Sequence, residues 1–407
     1  MPGPLAGIRI LDLTTVGFGP YGTQILGDYG AEVIKVEAPE GDITRGIAPA
    51  RNAGMGHFFL NANRNKRCIV LDLKKPAGRD ALLKLVETAD ALISSVRPAA
   101  MERLGVGYEH CRAVNPRLVY VALVGFGQDG PYGPRPAYDD IIQGLSGMAD
   151  MQGGRGGAPR YINASICDKI GSQFAAHATL AALFSRERTG AGQLVEVPML
   201  ESLVGFNLVE HQSGQTFEPS LGPAGYERSM AEYRRPYATA DGFVCVLPYN
   251  LKQWRAFFTL MKRPDMLDDP RVTDAKTRSE KIGELYEMVA ASVRDWPTAD
   301  LLTALLEADI PSGKATPLGE LADDPHLQAV GLFQHFEHPT EGRIRLAGPG
   351  VRFSETPAGI RTLPAALGEH SIDILREAGF APEEIERLIE EGVTLDGART
   401  PARDAAE

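Results

Sequence analysis

A single carboxylate, Asp168, is the residue in this sequence that is best placed to do chemistry. It lies between a short, mostly uncharged segment and a stretch of apolar residues at helical spacing, so we expect it at or near a helix start. Two interpretations follow. Aspartate is a preferred N-cap residue and needs no chemistry to explain it there. A carboxylate held near helix N–H groups also stays ionised and can serve as a nucleophile.

The helix that follows Asp168 is predicted from its periodicity and its end signals. Arg186 and Arg188 favour the negative end of a helix dipole, and Thr189-Gly190 is typical of a stop. Residues 193–197 are then predicted to form a strand. The apolar residues expected to form the buried stripe of the helix are Ile170, Phe174, Ala175, Ala178, Ala181, Ala182 and Phe184.

A glycine-rich turn near the start of the chain offers a second chemistry. The letters GFGPYG at 17–22 link a predicted strand at 8–13 to a predicted helix at 21–29, and Glu37 ends the next predicted strand. This spacing matches a dinucleotide fingerprint, in which the turn cradles a pyrophosphate and the acid binds a ribose. Pro20 removes one N–H from the turn, so NAD binding and a tight packing turn both stay open.

Cations are concentrated in the segment NRNKR at 63–67, which leads into a strand-like stretch. Such a cluster forms either a solvated edge or, in an acidic protein, a phosphate site. Predicted strands at 91–94 and 119–124 alternate with a helix at 81–87. The alternation predicts a doubly wound α/β domain with a parallel sheet.

Other reactive residue types give weaker patterns. The letters GLSGM at 144–148 miss a nucleophile elbow because Met148 replaces its second glycine, so Ser146 is not proposed as a hydrolase nucleophile. His335 and His338 form the one close histidine pair, and we expect no metal site there. The cysteines lack CxxC spacing and fit reduced thiols, and they are Cys68, Cys111, Cys167 and Cys245.

Composition limits the classes of function. The 407 residues carry a net charge of −11, which argues against generic nucleic-acid binding and against attraction to anionic membranes. No apolar stretch reaches the length of a membrane span, and no signal peptide is recognised, so we expect a cytoplasmic protein.

The pattern of predicted strands and helices changes along the chain. We predict a large domain from 1–210 and 330–407, and a small α+β domain at 226–325, with linkers at 211–225 and 326–329. In the small domain, a strand at 243–247 is followed by helices that include 282–293 and 298–307. A last helix pair is predicted at 372–378 and 383–391.

The motifs taken together resemble the family III CoA-transferases, also called the CaiB/BaiF type. This group includes formyl-CoA transferase and carnitine CoA-transferase and is related to α-methylacyl-CoA racemase. The resemblance extends over residues 4–370 and depends on the order and spacing of its motifs. They are Gly19-Pro20, GAEVIKVE at 30–37, Gly41-Asp42, Asn65-Lys66-Arg67, LDLK at 71–74, GFG at 125–127, Asp168, Arg188-Thr189-Gly190, Gly192-Gln193 and Asp241-Gly242.

The resemblance implies a Rossmann-like large domain, a homodimer of interlocked subunits and a nucleophilic Asp168. Such an enzyme moves CoA from an acyl-CoA to a free carboxylic acid through aspartyl anhydride and aspartyl-CoA thioester intermediates. An aspartate with its reference pKa of about 3.9 is ionised at neutral pH and needs no general base. CoA and acyl-CoA would be substrates, with no tightly bound cofactor, and the glycine turn would serve CoA rather than NAD.

The resemblance also implies a CoA site at Val16, Leu71, Lys74 and Arg103, to which we add Ser95, Arg97, Arg135 and Tyr138. Ser95 and Arg97 lie where the family often has an Asn-Phe-x-Pro-Gly motif. Tyr138 stands where the racemase branch has a catalytic histidine, which favours transfer over the alternative, racemisation by α-proton exchange. The glycine run of formyl-CoA transferase is missing between 212 and 237, which argues against small oxalate-like substrates.

Overall fold

A computed structural model describes residues 3–397 of the chain. They form two compact units. Unit 1 contains residues 3–146, 163–204 and 325–397, and unit 2 contains residues 147–162 and 205–324. Segment 147–162, which was predicted within the large domain, belongs to unit 2. The tail that begins at Asp396 lies almost wholly outside the described residues.

Unit 1 is built on a parallel sheet, as the alternating pattern predicts. Its strands are β1 (Arg9–Leu13), β2 (Glu32–Glu37), β3 (Lys66–Val70), β4 (Ala91–Ser94), β5 (Val119–Val124) and β6 (Gln193–Pro198). They pair in the order β3-β2-β1-β4-β5-β6, which is the Rossmann order. The predicted α/β class is therefore confirmed.

The remaining strands are short and antiparallel. In unit 2, β7 (Tyr237–Ala238), β8 (Phe243–Val246) and β9 (Ser312–Lys314) form a three-stranded sheet. In unit 1, β10 (Phe333–His338) and β11 (Gly342–Ala347) form a hairpin.

Eighteen α-helices connect these strands in the described part of the chain. They are α1 (Phe18–Asp28), α2 (His57–Ala62), α3 (Pro76–Val86), α4 (Pro98–Arg103), α5 (Tyr108–Val114), α6 (Asp139–Leu145), α7 (Met148–Gly153), α8 (Ile166–Thr189), α9 (Met199–His211), α10 (Glu227–Met230), α11 (Leu251–Leu260), α12 (Pro270–Thr273), α13 (Ala275–Glu280), α14 (Ile282–Val293), α15 (Thr298–Glu307), α16 (Pro325–Ala329), α17 (Ser371–Glu377) and α18 (Pro382–Glu390). Short 3-10 helices lie at Ile43–Gly46, Ser213–Thr216, Pro264–Met266 and Leu318–Asp323.

The central strands of the sheet are buried on both faces, which explains why they read as continuous apolar runs. All six residues of β5 are buried, as are all four residues of β4. The main core of unit 1 packs this sheet against α3, α5, α17 and α18. Within unit 2, a separate core surrounds Trp254 and Tyr286. No helix among residues 3–397 is long and apolar enough to cross a bilayer.

Helix α8 buries only part of the predicted stripe, since Ala175 and Ala182 are buried as predicted whereas Ala181 is exposed. Its fully buried residues include the small side chains Gly171, Ser172, Ala175 and Ala176, because α8 packs closely on α1. Phe184, which was predicted in the buried stripe, is 65% exposed. The predicted C-terminal stop is correct, since α8 ends at Thr189 and Gly190 adopts φ 77°.

The free edge of the sheet is covered by the C-terminal segment of the chain. The N–H of His370 donates to Cys68 O at 3.0 Å, and the hydroxyl of Thr394 donates to Val70 O at 2.7 Å. The N–H of Val70 donates to Ser371 Oγ at 3.2 Å. Edge strand β3 therefore finds its outer hydrogen bonds in residues about 300 positions later.

Candidate active site

Asp168 is the third residue of α8, and Ser165, not Asp168, is at the N-cap position. The N-cap interpretation of Asp168 is therefore wrong. The residue is 8% exposed, and within residues 3–397 no hydrogen bond reaches its carboxylate. A Cβ built on Gly17 would stand 2.6 Å from Asp168 Oδ2. The carboxylate therefore lies directly against Gly17, which follows the turn after β1 (residues 14–16).

A cavity of about 230 Å³ opens beside this carboxylate. Its lining residues come from the start of α1, from α2 and from the start of α8. They are Gly17, Tyr21, Phe58, Asn61, Ala62, Ser165, Asp168 and Lys169. The ring and methyl groups of the first two helices give a mostly apolar wall, so the carboxylate faces a space that favours the organic part of a ligand.

A second carboxylate, Asp139 at the start of α6, supports the site. Asp139 Oδ1 accepts the backbone N–H of Asp168 at 2.9 Å, and Asp139 Oδ2 accepts Gln143 Nε2 at 2.6 Å. Burial, together with the negative charges of Asp139 and Asp140, raises the pKa of Asp168 to about 7. This pKa lies well above the reference value of about 3.9 from which the ionised form was expected.

The β1 turn at residues 14–16 is held at four successive backbone groups by side chains. Val16 adopts φ 69°, a left-handed conformation that is strained for a β-branched residue. The contacts are Asp12 Oδ1 to Thr14 N (3.0 Å), Lys35 Nζ to Thr14 O (2.8 Å), Ser95 Oγ to Thr15 N (3.1 Å) and Asp42 Oδ1 to Val16 N (3.3 Å). The turn that positions Gly17 is thereby fixed by side chains of β1 and β2 and of the loops that follow β2 and β4.

Buried ion pairs lie behind this turn. Lys35 Nζ is 3.1 Å from Asp42 Oδ2 and Lys66 Nζ is 2.9 Å from Asp12 Oδ2, and none of these side chains is exposed. Although burial raises it, the two lysines bring the pKa of Asp12 down to about 2. Paired charges of this kind fix one local geometry.

Buried ion pairs contradict two hypotheses that were drawn from the sequence. Glu37, the residue of the dinucleotide fingerprint, accepts both Nε and Nη2 of Arg45 at 2.8 and 2.7 Å and is buried, so it does not reach a ribose. The cations of segment 63–67 are not a phosphate site, because Arg64 pairs with Asp28 and Lys66 with Asp12.

The glycine turn also differs from a phosphate cradle. Residues 18–22 already belong to α1, with Gly17 at the N-cap. A Cβ on Gly19 would stand 2.2 Å from Thr14 Cβ, so this glycine allows the helix to pack on the strand end. Within residues 3–397, no group of three or more His, Cys, Asp or Glu side chains is arranged to hold a metal ion.

The family assignment comes from sequence comparison. The sequence model of CoA-transferase family III matches residues 5–371.

The chain belongs to CoA-transferase family III.

Its relatives in the family support the same enzyme class. Mouse succinyl-CoA:glutarate CoA-transferase is 32% identical over 96% of this chain and 90% of its own length. Formyl-CoA:oxalate CoA-transferase of Streptomyces avermitilis is 31% identical over 97% of this chain and 100% of its own length. The crystal structure of a CAIB/BAIF family protein from Brucella suis superposes with a TM-score of 0.79, at 27% identity over 93% of this chain and 100% of that one. None of these three relatives is named as a racemase, so they do not support the racemase alternative.

The residues predicted to bind CoA in this family III CoA-transferase all follow the carboxyl ends of strands. Val16 follows β1 and Ser95 follows β4, the two strands at which the strand order reverses. The hydrogen bond from Thr15 N to Ser95 Oγ joins these two loops directly. Ligands of open α/β sheets bind at such a switch point.

The predicted cations lie in the segments that follow β3, β4 and β5. Lys74, Arg97 and Arg103 are exposed, and no ion pair holds them within the described part of the chain. Arg135 is also exposed and stacks 3.9 Å from the ring centroid of Tyr132. All four cations are open to an anionic ligand.

Two other predicted residues have distinct environments. Leu71 is 1% exposed, its side chain lies in the main core and its N–H donates to Glu37 O at 2.9 Å, so little of this residue is open to a ligand. Tyr138 is 67% exposed and stands at the N-cap position of α6, directly before Asp139.

Several residues of the site were missed from the sequence. Asp139 and Gln143 support the start of α8, and Tyr21 and Phe58 form the cavity wall. The one available signal was the acidic pair at 139–140 before a short helix. Nothing in the local sequence around Phe58 indicates that it faces Asp168.

Proposed function

We propose that this family III CoA-transferase moves CoA from an acyl-CoA to a free carboxylic acid, with Asp168 as the nucleophile. The observation that carries the proposal is a carboxylate without a hydrogen bond among the described residues, at the wall of an apolar cavity. A structural aspartate at that depth normally has its oxygens paired. An unpaired one is open to attack an electrophile.

The proposed reaction has four steps. The Asp168 carboxylate attacks the thioester carbonyl and expels CoA thiolate, which leaves an acyl-aspartyl anhydride. The thiolate attacks the aspartyl carbonyl, releases the donor acid and forms an aspartyl-CoA thioester. The acceptor carboxylate then attacks this thioester and expels the thiolate. Finally the thiolate attacks the acceptor carbonyl, which forms the new acyl-CoA and restores Asp168.

The surroundings of Asp168 suit these steps. We assign the oxyanion contacts to the first backbone N–H groups of α1, because that helix begins beside the carboxylate at Gly17. The apolar wall limits access of water, which would hydrolyse an anhydride. The raised pKa of Asp168 means that only part of the enzyme carries the nucleophilic form at pH 7.

We propose succinyl-CoA as donor and a dicarboxylic acid as acceptor. The mouse relative is named for succinyl-CoA and glutarate, and the Streptomyces relative for formyl-CoA and oxalate. The segment between 212 and 237 keeps only Gly222-Pro223-Ala224-Gly225, without the longer glycine run, which favours an acid larger than oxalate.

We also propose the interlocked homodimer that the family resemblance implies. Phe184 of α8 and two residues of α6, Ile141 and Leu145, leave apolar side chains exposed in unit 1. Exposed apolar surface of this kind is typical of a face that a second subunit covers.

The test is to trap the intermediate. The protein is incubated with succinyl-CoA, quenched with hydroxylamine and digested, and the modified peptide is located by mass spectrometry. We expect a hydroxamate at Asp168 that requires the acyl-CoA, and we expect Asp140→Asn to retain it. Transfer without any hydroxamate at Asp168 would exclude the covalent route. Exchange of the α-proton into deuterated water without an acceptor acid would instead indicate a racemase.

A further inference from the structure

A cation lines the cavity beside Asp168. Among the eight described residues that form the wall, Lys169 is the one with a positive charge and Asp168 is the one with a negative charge. Lys169 directly follows Asp168 in α8, and both residues belong to unit 1. A ligand that enters this cavity is therefore bordered by a carboxylate and an ammonium group of adjacent residues.

The protein does not neutralise the ammonium group of Lys169. This lysine is exposed, and within residues 3–397 its Nζ has no ion pair and no hydrogen bond. Asp168 is not its partner either, because burial and the charges of Asp139 and Asp140 raise the pKa of Asp168 and no lysine lowers it. A paired ammonium group would have lowered that pKa. The cation is thus open to an anion that a ligand brings.

A hydroxyl group lies next to this cation. Ser165 is at the N-cap position of α8, where serine normally accepts an N–H of the first turn, but its side chain makes no such hydrogen bond. One N–H that it would accept is that of Asp168, which donates to Asp139 Oδ1 at 2.9 Å instead. The N–H of Lys169 donates to Ser165 O at 3.3 Å, so Ser165 and Lys169 are neighbours on one face of the helix. Both residues line the cavity.

The size of the cavity favours a short acid over the whole of CoA. Its volume of about 230 Å³ lies below the roughly 300–1,000 Å³ that is typical of sites for drug-sized ligands. The apolar groups of Tyr21, Phe58 and Ala62 suit the methylene groups of such an acid. A second carboxylate on the acid would be costly to bury in this space without an opposite charge, and Lys169 supplies that charge.

We infer that Lys169 and Ser165 bind the carboxylate of the substrate acid that does not react. A dicarboxylic acid places its reacting end at Asp168 and its other end at Lys169, so the enzyme prefers it to an acid with a single carboxylate. The free carboxylate of a succinyl donor takes the same contact. The inference rests on the proposed function, because it assigns the two ends relative to the nucleophile. A phosphate of CoA has related chemistry, and the experiments separate the two sources.

Competition between two acids of equal chain length provides the first test. Glutarate and pentanoate have the same number of carbon atoms and differ by one carboxylate. They are offered together with succinyl-CoA, so the ratio of their kcat/KM values does not depend on the donor. We expect Lys169→Met to lower the glutarate-to-pentanoate ratio about 10- to 100-fold, mainly through glutarate. Ser165→Ala removes a single hydroxyl and should lower the ratio about threefold.

Two further variants control for charge and for the loss of any surface lysine. Lys169→Arg keeps the charge and should keep most of the preference for glutarate. Lys84→Met removes an exposed lysine from α3 of the same unit and should leave the ratio unchanged. An equal fall in kcat/KM for both acids in Lys169→Met would show that this lysine does not recognise the second carboxylate, and it would overturn the inference.

Calorimetry separates this inference from the proposed function. Glutarate, pentanoate and CoA are titrated into Asp168→Asn and into Asp168→Asn combined with Lys169→Met, neither of which turns over if Asp168 is the nucleophile. Weaker binding of glutarate but not of pentanoate in the double variant supports the inference even if no hydroxamate ever forms at Asp168. Unchanged binding of glutarate contradicts it even if the transferase mechanism is correct. Weaker binding of CoA with unchanged binding of glutarate would assign Lys169 to phosphate and overturn the inference.

Discussion

Asp168 Oδ2 lies where the side chain of residue 17 would otherwise be, 2.6 Å from the position of a Cβ on Gly17. The backbone of Gly17, with φ −115° and ψ −49°, is open to any residue. Glycine is therefore needed at this position for space and not for conformation. The two residues are 151 positions apart in the sequence. The Asp168 carboxylate occupies the space that a side chain at position 17 would need.

Gly17→Ala should consequently displace the carboxylate without unfolding the protein. We expect kcat/KM to fall about 100-fold, because a displacement of about 1 Å is enough for such a loss. The measurement is steady-state transfer together with a thermal melt. Gly144→Ala is the matched control, since a Cβ on Gly144 meets nothing within 4 Å. Full activity in Gly17→Ala would contradict a role for Asp168 in the reaction.

The pH dependence of the reaction should report on Asp168. Because its pKa is raised to about 7 and the ionised form is the nucleophile, kcat/KM should rise with pH up to about 7 and then level off. Asp139→Asn removes a negative charge but keeps an oxygen for the Asp168 N–H, so the midpoint should move to lower pH. The profile is measured from pH 5 to 9, and an unmoved midpoint in Asp139→Asn would assign it to another group.

The same raised pKa should make Asp168 destabilising at neutral pH. The folded protein holds the proton up to about pH 7, whereas the unfolded chain releases it near 3.8, so stability is lost as pH rises between these values. Asp168→Asn should therefore raise the free energy of unfolding by about 2 to 4 kcal/mol at pH 8 and by little at pH 4. Urea unfolding at both pH values checks the difference. An equal gain at both values would point to packing and not to ionisation.

The buried pair behind the β1 turn should matter more than an exposed pair. Asp42→Asn leaves Lys35 buried without its carboxylate, and we expect a loss of about 3 kcal/mol in unfolding free energy. Asp265→Asn breaks an exposed pair with Arg263 and should cost far less, because water and salt screen that pair. Because Val16 is strained, Val16→Gly should recover part of the unfolding free energy lost in Asp42→Asn. If Val16→Gly recovers nothing, the Lys35–Asp42 pair does not act through the turn at Val16.

The cation Arg103 should contribute to binding of acyl-CoA. Arg103→Gln is expected to raise the KM for succinyl-CoA about fivefold at low salt and less at high salt, because exposed charges are screened. Arg112→Gln, whose arginine already pairs with Glu109, is the control and should have little effect. A salt-independent change would indicate a structural role for Arg103.

Much of the fold follows from local patterns. Strands 91–94 and 119–124 and helices 282–293 and 298–307 have the predicted bounds, because each is a strongly patterned segment. Helix α8 departs from its local pattern. Periodicity selects large apolar residues such as Phe184, whereas close packing on α1 requires small ones such as Gly171.

The site was predicted less completely than the fold. Asp168 was identified as a candidate, but its pKa depends on burial and on Asp139, neither of which local sequence shows. Lys66 looked like a surface cation because its partner Asp12 is 54 positions away. Charges that pair over such separations cannot be assigned from spacing along the chain.

The hydrogen bonds from the C-terminal segment to β3 also limit when this protein can fold during synthesis. Residues 370 and 394 leave the ribosome long after Cys68 and Val70, so the edge of β3 stays unpaired while more than 300 residues are added. An unpaired edge on a nascent chain invites association with other chains, and long-range closure is slow. A ribosome-bound chain that lacks the C-terminal segment should therefore depend on chaperones that shield this strand.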